Sequence, residues 1–142
     1  MRLTLLGLFL VLVLGTGSQI SAKAESLEPV AAPIGKSSFQ NVDPAQFEML
    51  RKKTNTVVLD VRTQKEFDTG HIPGATLLDV NSQGFASEAA KLDKSKTYLV
   101  HCAAGVRSVK ACKFLEPMQF KSLYNLEGGF KAWEKAGNTA VK

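Results

Sequence analysis

Thr97-Tyr98-Leu99-Val100-His101-Cys102-Ala103-Ala104-Gly105-Val106-Arg107-Ser108 is the stretch on which the fold turns. Residues 97–101 form a largely apolar run without polar alternation, the pattern of a strand covered on both faces. A small-residue loop, Ala103-Ala104-Gly105, comes next. From Arg107 to Leu115, the spacing of Val109, Cys112 and Leu115 or Glu116 predicts a helix with one apolar face. A buried strand feeding directly into a helix is half of a parallel-sheet unit. Cys102 then stands at the carboxyl end of a strand, where open α/β sheets bind their ligands.

Working outward, Thr56 to Val61 is a second β-branched run of the same buried kind. Before it, Asp43-Pro44 supplies an N-cap and a first-turn proline for a short helix over 44–53, with Phe47, Met49 and Leu50 as its apolar residues. After it, a polar loop runs through His71-Ile72-Pro73-Gly74, Ala75 to Val80 reads as a short strand, and Phe85 to Lys91 as a helix. Downstream of the Cys102 loop, Lys121 to Leu126 returns as a strand. Gly128-Gly129 turns the chain into a last helix, Phe130 to Lys135, ended by Gly137. Strands alternating with helices predict an α/β fold with a parallel sheet covered on both sides. There is no internal repeat.

Residues 1–24 are a different material. Arg2 gives a positive start and Leu3 to Leu14 is an almost unbroken apolar run of 12 residues, short of the roughly 20 that a membrane-spanning helix needs. Ala22-Lys23-Ala24 is an A-x-A pattern that predicts signal-peptide cleavage before Glu25, and hence an exported protein, periplasmic or secreted, without stable membrane insertion. Glu25 to Ser38, with two prolines, no aromatic and no period, reads as a flexible linker, and residues 39–138 as one domain. The whole chain carries a net charge of +5, but cleavage removes two of its 18 basic residues and none of its 13 acidic ones. The remaining Lys and Arg residues are scattered over separate elements, which argues against nucleic-acid binding. Two cysteines in 142 residues exclude a disulfide framework and a four-Cys zinc site. A metal would have to draw on His71 and His101, and their spacing does not suggest one.

The loop carries the chemistry. Backbone N–H groups of a tight turn that opens a helix converge on one point and form an anion-binding nest, which lowers a thiol pKa to about 3.5–7.5 in comparable settings. Cys102 is therefore the candidate nucleophile, and Ala103, Ala104, Gly105 and Val106 its cradle. Arg107 can close the ring with a positive charge. The bland alternative makes Cys102 a small buried hydrophobe. Ring size separates two enzyme classes. Only four residues intervene between Cys102 and Arg107, one fewer than in a protein-tyrosine-type phosphatase loop that encircles phosphate; a smaller ring suits a single sulfur atom held as a persulfide.

HCAAGVRS, from His101 to Ser108, resembles the Cys-x-x-Gly-x-Arg-Ser loop of the rhodanese-family single-domain sulfurtransferases. LDVRTQKEFDTGHIPGA (Leu59 to Ala75) and NLEGGFKAW (Asn125 to Trp133) are similar to two further segments of that family, in the family's order. The resemblance spans about Phe39 to Gly137. It implies a rhodanese-like fold of five mostly parallel strands between helices, with Cys102 as catalytic nucleophile and no cofactor. It also implies a small-molecule sulfur donor such as thiosulfate, and cyanide or a thiol as acceptor, a protein acceptor included. Ala103 and Ala104 stand where members specialised for thiosulfate often carry basic residues, which leaves the donor open. The competing functions are a non-catalytic rhodanese-like module that delivers or senses sulfur, and an enzyme acting on phosphate or arsenate oxyanions.

The remaining polar residues of the second segment read as structural. Arg62 and Glu66, four apart, would pair if this stretch turns helically, and Asp60, at a strand end, would bond nearby loop backbone. Cys112, Tyr124, Phe130 and Trp133 read as core.

Overall fold

The structure is a computed structural model and describes residues 39–142. The expected signal peptide, 1–24, and linker, 25–38, lie outside the described residues. The elements alternate as β1 (Phe39–Val42), α1 (Pro44–Arg51), β2 (Thr56–Asp60), α2 (Gln64–Thr69), β3 (Ala75–Leu77), α3 (Phe85–Lys91), β4 (Thr97–His101), α4 (Val106–Leu115), β5 (Ser122–Leu126) and α5 (Gly129–Lys135). The strands form one sheet in the order β1-β5-β4-β2-β3, and every pair in it is parallel.

The unbroken apolar runs have a simple cause. Successive residues of a strand point to opposite faces, and here each face has its own core. Leu59, Tyr98 and Val100 pack with Phe85 and Ala89 of α3 and with Ala111, Cys112 and Leu115 of α4. Val58 and Leu99 pack on the other face with Phe47 of α1 and with Phe130 and Trp133 of α5. Each such large apolar side chain contributes about 1.5–3 kcal/mol relative to exposure.

Local signals set several boundaries. The Asp43 carboxylate accepts from the Gln46 amide at 2.8 Å while the Gln46 side chain accepts from the Asp43 amide, a reciprocal cap that starts α1 with Pro44 in its first turn. α1 ends at Arg51, two residues short of the expected 53. The strand expected from Ala75 to Val80 ends at Leu77, because its neighbour β2 ends at Asp60, the register partner of Leu77. β1 is an element the sequence reading leaves unassigned. It is a four-residue edge strand whose middle residues, Gln40 and Asn41, are exposed, so its apolar pattern is too short to register. α4 buries Ser108, Ala111, Cys112 and Leu115, with Val109 partly buried against the same core.

Candidate active site

β4 delivers Cys102 to the carboxyl edge of the sheet, and Gly105, in the left-handed region at φ 99°, turns the chain into α4. That turn aims amides back at the sulfur. The Gly105 N–H donates to Cys102 Sγ at 3.1 Å. The Ser108 hydroxyl lies 3.4 Å from Sγ and 3.1 Å from the Gly105 carbonyl, so its one proton serves either acceptor in turn. Burial pushes the Cys102 thiol up, but the hydroxyl and amide of Ser108 together with the amides of Ala104 and Gly105 outweigh it and bring the pKa below the ordinary thiol value. The loop is thus built to hold negative charge on sulfur.

A second turn holds the loop from behind. Gly128 and Gly129 both have positive φ, 71° and 61°, and the chain beyond them donates from Phe130 N–H to the Cys102 carbonyl at 2.7 Å and from Lys131 N–H to the Ala103 carbonyl at 3.0 Å. A Cβ on Gly129 would sit 2.5 Å from the Cys102 oxygen and 2.7 Å from the Ala103 carbonyl carbon. Only glycine fits so close an approach.

Arg107, expected to close the ring, stands at the first turn of α4 and is gripped by a carboxylate. Its Nη1 and Nη2 donate to Glu66 at 2.8 and 2.6 Å. The fork on Arg107 is the main reason the Glu66 pKa falls to about 2, against an opposing cost of burial, and Thr63 adds to the lowering. Glu66 is itself fixed as the third residue of α2, where it and Thr63 cap one another. The same fork is the main cause that raises the Arg107 pKa, against an opposing cost of burial.

The expected Arg62–Glu66 pair does not form. α2 begins at Gln64, so Arg62 lies outside the helix and the four-residue spacing does not put the two on one helical face. Arg62 instead forks onto Asp60, with Nε 2.9 Å from Oδ1 and Nη2 2.7 Å from Oδ2, and donates to the Gly70 carbonyl at 2.8 Å. Its guanidinium lies 4.3 Å from the Phe130 ring centroid. The expected bond from Asp60 to loop backbone is present, to the Arg62 amide at 3.0 Å. This buried pair ties the end of β2 to the loop behind the site.

The histidines are occupied separately. His101 is buried between the rings of Phe47 and Phe130, and burial drives its pKa down to about 4 against the pull of Asp60, which keeps it neutral. His71 stacks on Phe67 at 3.8 Å with Nδ1 3.1 Å from the Phe67 carbonyl oxygen. Cys112 is a free, buried thiol whose pKa burial pushes up to about 12. Trp133 and Phe130 are buried, and Tyr124 packs partly buried against them. Of the cradle residues, Ala103 is partly buried while Ala104 and Val106 are exposed, so the loop acts through its backbone.

Three members of this arrangement escape sequence reasoning. Ser108 closes the quoted loop without a role that spacing alone would assign it. Thr63-x-x-Glu66 has the spacing of a capping box, and that signal marks Glu66 as fixed at a helix start rather than free to pair with Arg62. Gly129 is visible in the sequence only as half of a turn.

The rhodanese-like domain pattern matches residues 43–136. The chain belongs to the rhodanese-like domain family. Among curated relatives of this rhodanese-like domain, the thiosulfate sulfurtransferase GlpE of Pseudomonas putida is 38% identical over 97 residues, covering 68% of this chain and 86% of that protein. The thiosulfate sulfurtransferase GlpE of Shewanella oneidensis is 30% identical over 100 residues, covering 70% of this chain and 97% of that one. Among solved structures, the rhodanese-related protein of Thermoplasma volcanium superposes with a TM-score of 0.66 at 27% identity, over 72% of this chain and 98% of that one.

Proposed function

We propose that the rhodanese-like domain is a thiosulfate sulfurtransferase-type enzyme that moves a sulfane sulfur from an anionic donor to cyanide or a thiol through a persulfide on Cys102. The observation that carries this reading is the Gly105 amide 3.1 Å from Cys102 Sγ, within a set of donors that holds the thiol below its ordinary pKa. The thiolate attacks the outer sulfur of thiosulfate, the S–S bond breaks, and sulfite leaves with the bonding electron pair. The negative charge now rests on the added sulfur, within reach of the amides of the Ala103–Val106 loop. Cyanide then attacks that sulfur, thiocyanate departs, and the Cys102 thiolate is restored.

Arg107 holds the donor's anionic group in this scheme. A guanidinium has five N–H donors, and Glu66 takes only one each from Nη1 and Nη2, which leaves three for the donor's oxygens. Glu66 therefore orients Arg107 without consuming it. The chemistry calls on no cofactor or metal. Residues 1–24 act as an export signal cleaved before Glu25, 25–38 as a linker, and 39–138 as the working domain outside the cytoplasm. Among the described residues no helix is long and apolar enough to cross a membrane.

Intact mass of the purified protein after thiosulfate tests the reading directly. One added sulfur, removed by cyanide and absent in Cys102→Ser, supports it; no added sulfur on Cys102 overturns it. The mature N-terminus, read from the same spectrum on protein from an exported fraction, checks the cleavage.

A further inference from the structure

α2 carries Glu66, yet none of its six residues is buried, so core packing does not hold it in place. Its first end follows Arg62, which is fixed on Asp60. Its other end is tied to the two residues beyond it. The Phe67 carbonyl accepts from the Gly70 amide at 3.2 Å and lies 3.1 Å from His71 Nδ1, and the His71 ring stacks on the Phe67 ring at 3.8 Å. Whatever fixes Gly70 and His71 therefore fixes the far end of α2.

Part of that hold comes from the segment that follows α5. Gly137, at φ 79°, turns the chain back, and the Thr139 carbonyl accepts from the indole N–H of the buried Trp133 at 2.9 Å. Two residues on, Val141 and His71 exchange both backbone bonds: the Val141 N–H donates to the His71 carbonyl at 2.9 Å, and the His71 N–H to the Val141 carbonyl at 2.8 Å. Residues 139–142 are exposed, so this strap is held by backbone bonds rather than by burial of its own side chains. The first turn of α5 meanwhile backs the Cys102 loop, through the Phe130 and Lys131 amides on the Cys102 and Ala103 carbonyls. A seven-residue helix is about 10 Å long. One short, rigid element thus supports the loop that bears Cys102 at one end and, through the strap, the helix that bears Glu66 at the other.

We propose that α5 and the strap over residues 137–141 are a positioning device, which fixes α2 so that Glu66 keeps its fork on Arg107. Val141 acts through its backbone and touches no substrate. The bracing of the fork stands on these bonds alone; its kinetic consequence rests on the sulfurtransferase reading, in which Arg107 holds the donor's anionic group. When the strap is slack, the far end of α2 swings, Glu66 leaves Arg107 for part of the time, and the guanidinium samples orientations that do not bind the donor.

The test compares Val141→Pro, which removes the N–H that donates to His71, with Val141→Ala, which keeps both backbone bonds. Guanidinium ¹⁵N NMR reads the fork without turnover. Pairing with Glu66 slows rotation of the Arg107 Nη groups, so Nη1 and Nη2 give separate signals in the wild type and in Val141→Ala and merge in Val141→Pro. With thiosulfate, Val141→Pro raises KM about three- to fivefold at unchanged kcat, the size expected when one backbone hydrogen bond no longer orders a binding group. In a Glu66→Ala background the same substitution has no further effect, because the two act through one contact. Alkylation of Cys102 by uncharged iodoacetamide keeps its wild-type rate in Val141→Pro, since α2 contributes nothing to the sulfur's donors. Separate Nη signals in Val141→Pro, an equal rise in KM with and without Glu66, or a comparable fall in the alkylation rate overturns the proposal. Absence of sulfite release from thiosulfate in the wild type removes the sulfurtransferase reading instead, and the Nη signals still decide the strap.

Discussion

Replacing Ser108 with alanine deletes one of the donors that hold the Cys102 sulfur and leaves the rest of the cradle in place. The hydroxyl lies 3.4 Å from Sγ and divides its proton between that acceptor and the Gly105 carbonyl, so its contribution sits at the low end of the roughly 1.5–3 kcal/mol of a hydrogen bond to a charged group. A loss of about 1.4 kcal/mol corresponds to about one pKa unit. The sign follows from which form is favoured: the hydroxyl stabilises the thiolate, so its removal raises the thiol pKa. The pH dependence of alkylation by iodoacetamide reads this directly, because Cys112, buried with a pKa of about 12, stays protonated across the range. The Ser108→Ala profile moves to higher pH by about one unit, and below the new pKa its rate falls about tenfold. A profile that stays in place, or moves to lower pH, refutes the claim that the Ser108 hydroxyl stabilises the thiolate. The substitution trades one small buried side chain for another, and an unchanged melting temperature separates a charge effect from a folding effect.

Three further outcomes follow from the same contacts. Gly129→Ala forces a Cβ to within 2.5 Å of the Cys102 carbonyl oxygen at a positive φ, so it destabilises by at least about 2 kcal/mol, seen as a melting temperature lower by about 10 °C together with loss of sulfur uptake; wild-type values for both would show that the loop has room to spare. Arg107→Ala lowers kcat/KM for thiosulfate about tenfold or more while the fold persists, and unchanged kinetics would remove Arg107 from the site. Glu66, with a folded pKa of about 2 against an ordinary 4.5, contributes stability that is present above about pH 4.5 and is lost as pH falls toward 2, so Glu66→Gln flattens that part of the denaturation-against-pH curve, and an unaltered slope would count against the pairing.

The central architecture is legible in the sequence because its signals are local. The buried runs at Thr56 and Thr97, the Asp43-Pro44 cap and the helix over Phe85–Lys91 each declare themselves within a few residues. β1 is not legible, since an edge strand of four residues with two exposed ones carries almost no pattern and gains its identity from pairing with β5, more than eighty residues later in the chain. The proposed nucleophile is legible for the reason the strands are: Cys102 directly follows one of them. Partner choice is not. Arg62 has carboxylates two and four residues away, and spacing alone offers Glu66, but the start of α2 at Gln64 turns Glu66 toward Arg107, forty-one positions on, and leaves Arg62 to Asp60. Gly129 shows the same limit, because a glycine's reason for being glycine lies in the backbone that crosses it.

The two cysteines show how much of the chemistry belongs to position on one helix. Both are buried and both are free thiols, ten residues apart in and just before α4. Cys112 sits inside the helix, where the amides are spent on intrahelical bonds, so the cost of burial acts on the thiol unopposed and, with the negative charges of Glu116 and Cys102 adding to it, pushes its pKa up to about 12. Cys102 sits just before the same helix, where the first-turn amides have no intrahelical partner and the Gly105 turn bends them onto sulfur, so a residue that is also buried has its pKa lowered instead. Burial alone therefore does not set the direction in which a thiol pKa moves here. The deciding quantity is whether unpaired backbone donors face it, and in this chain that depends on Gly105 adopting a conformation that no other residue in the loop adopts.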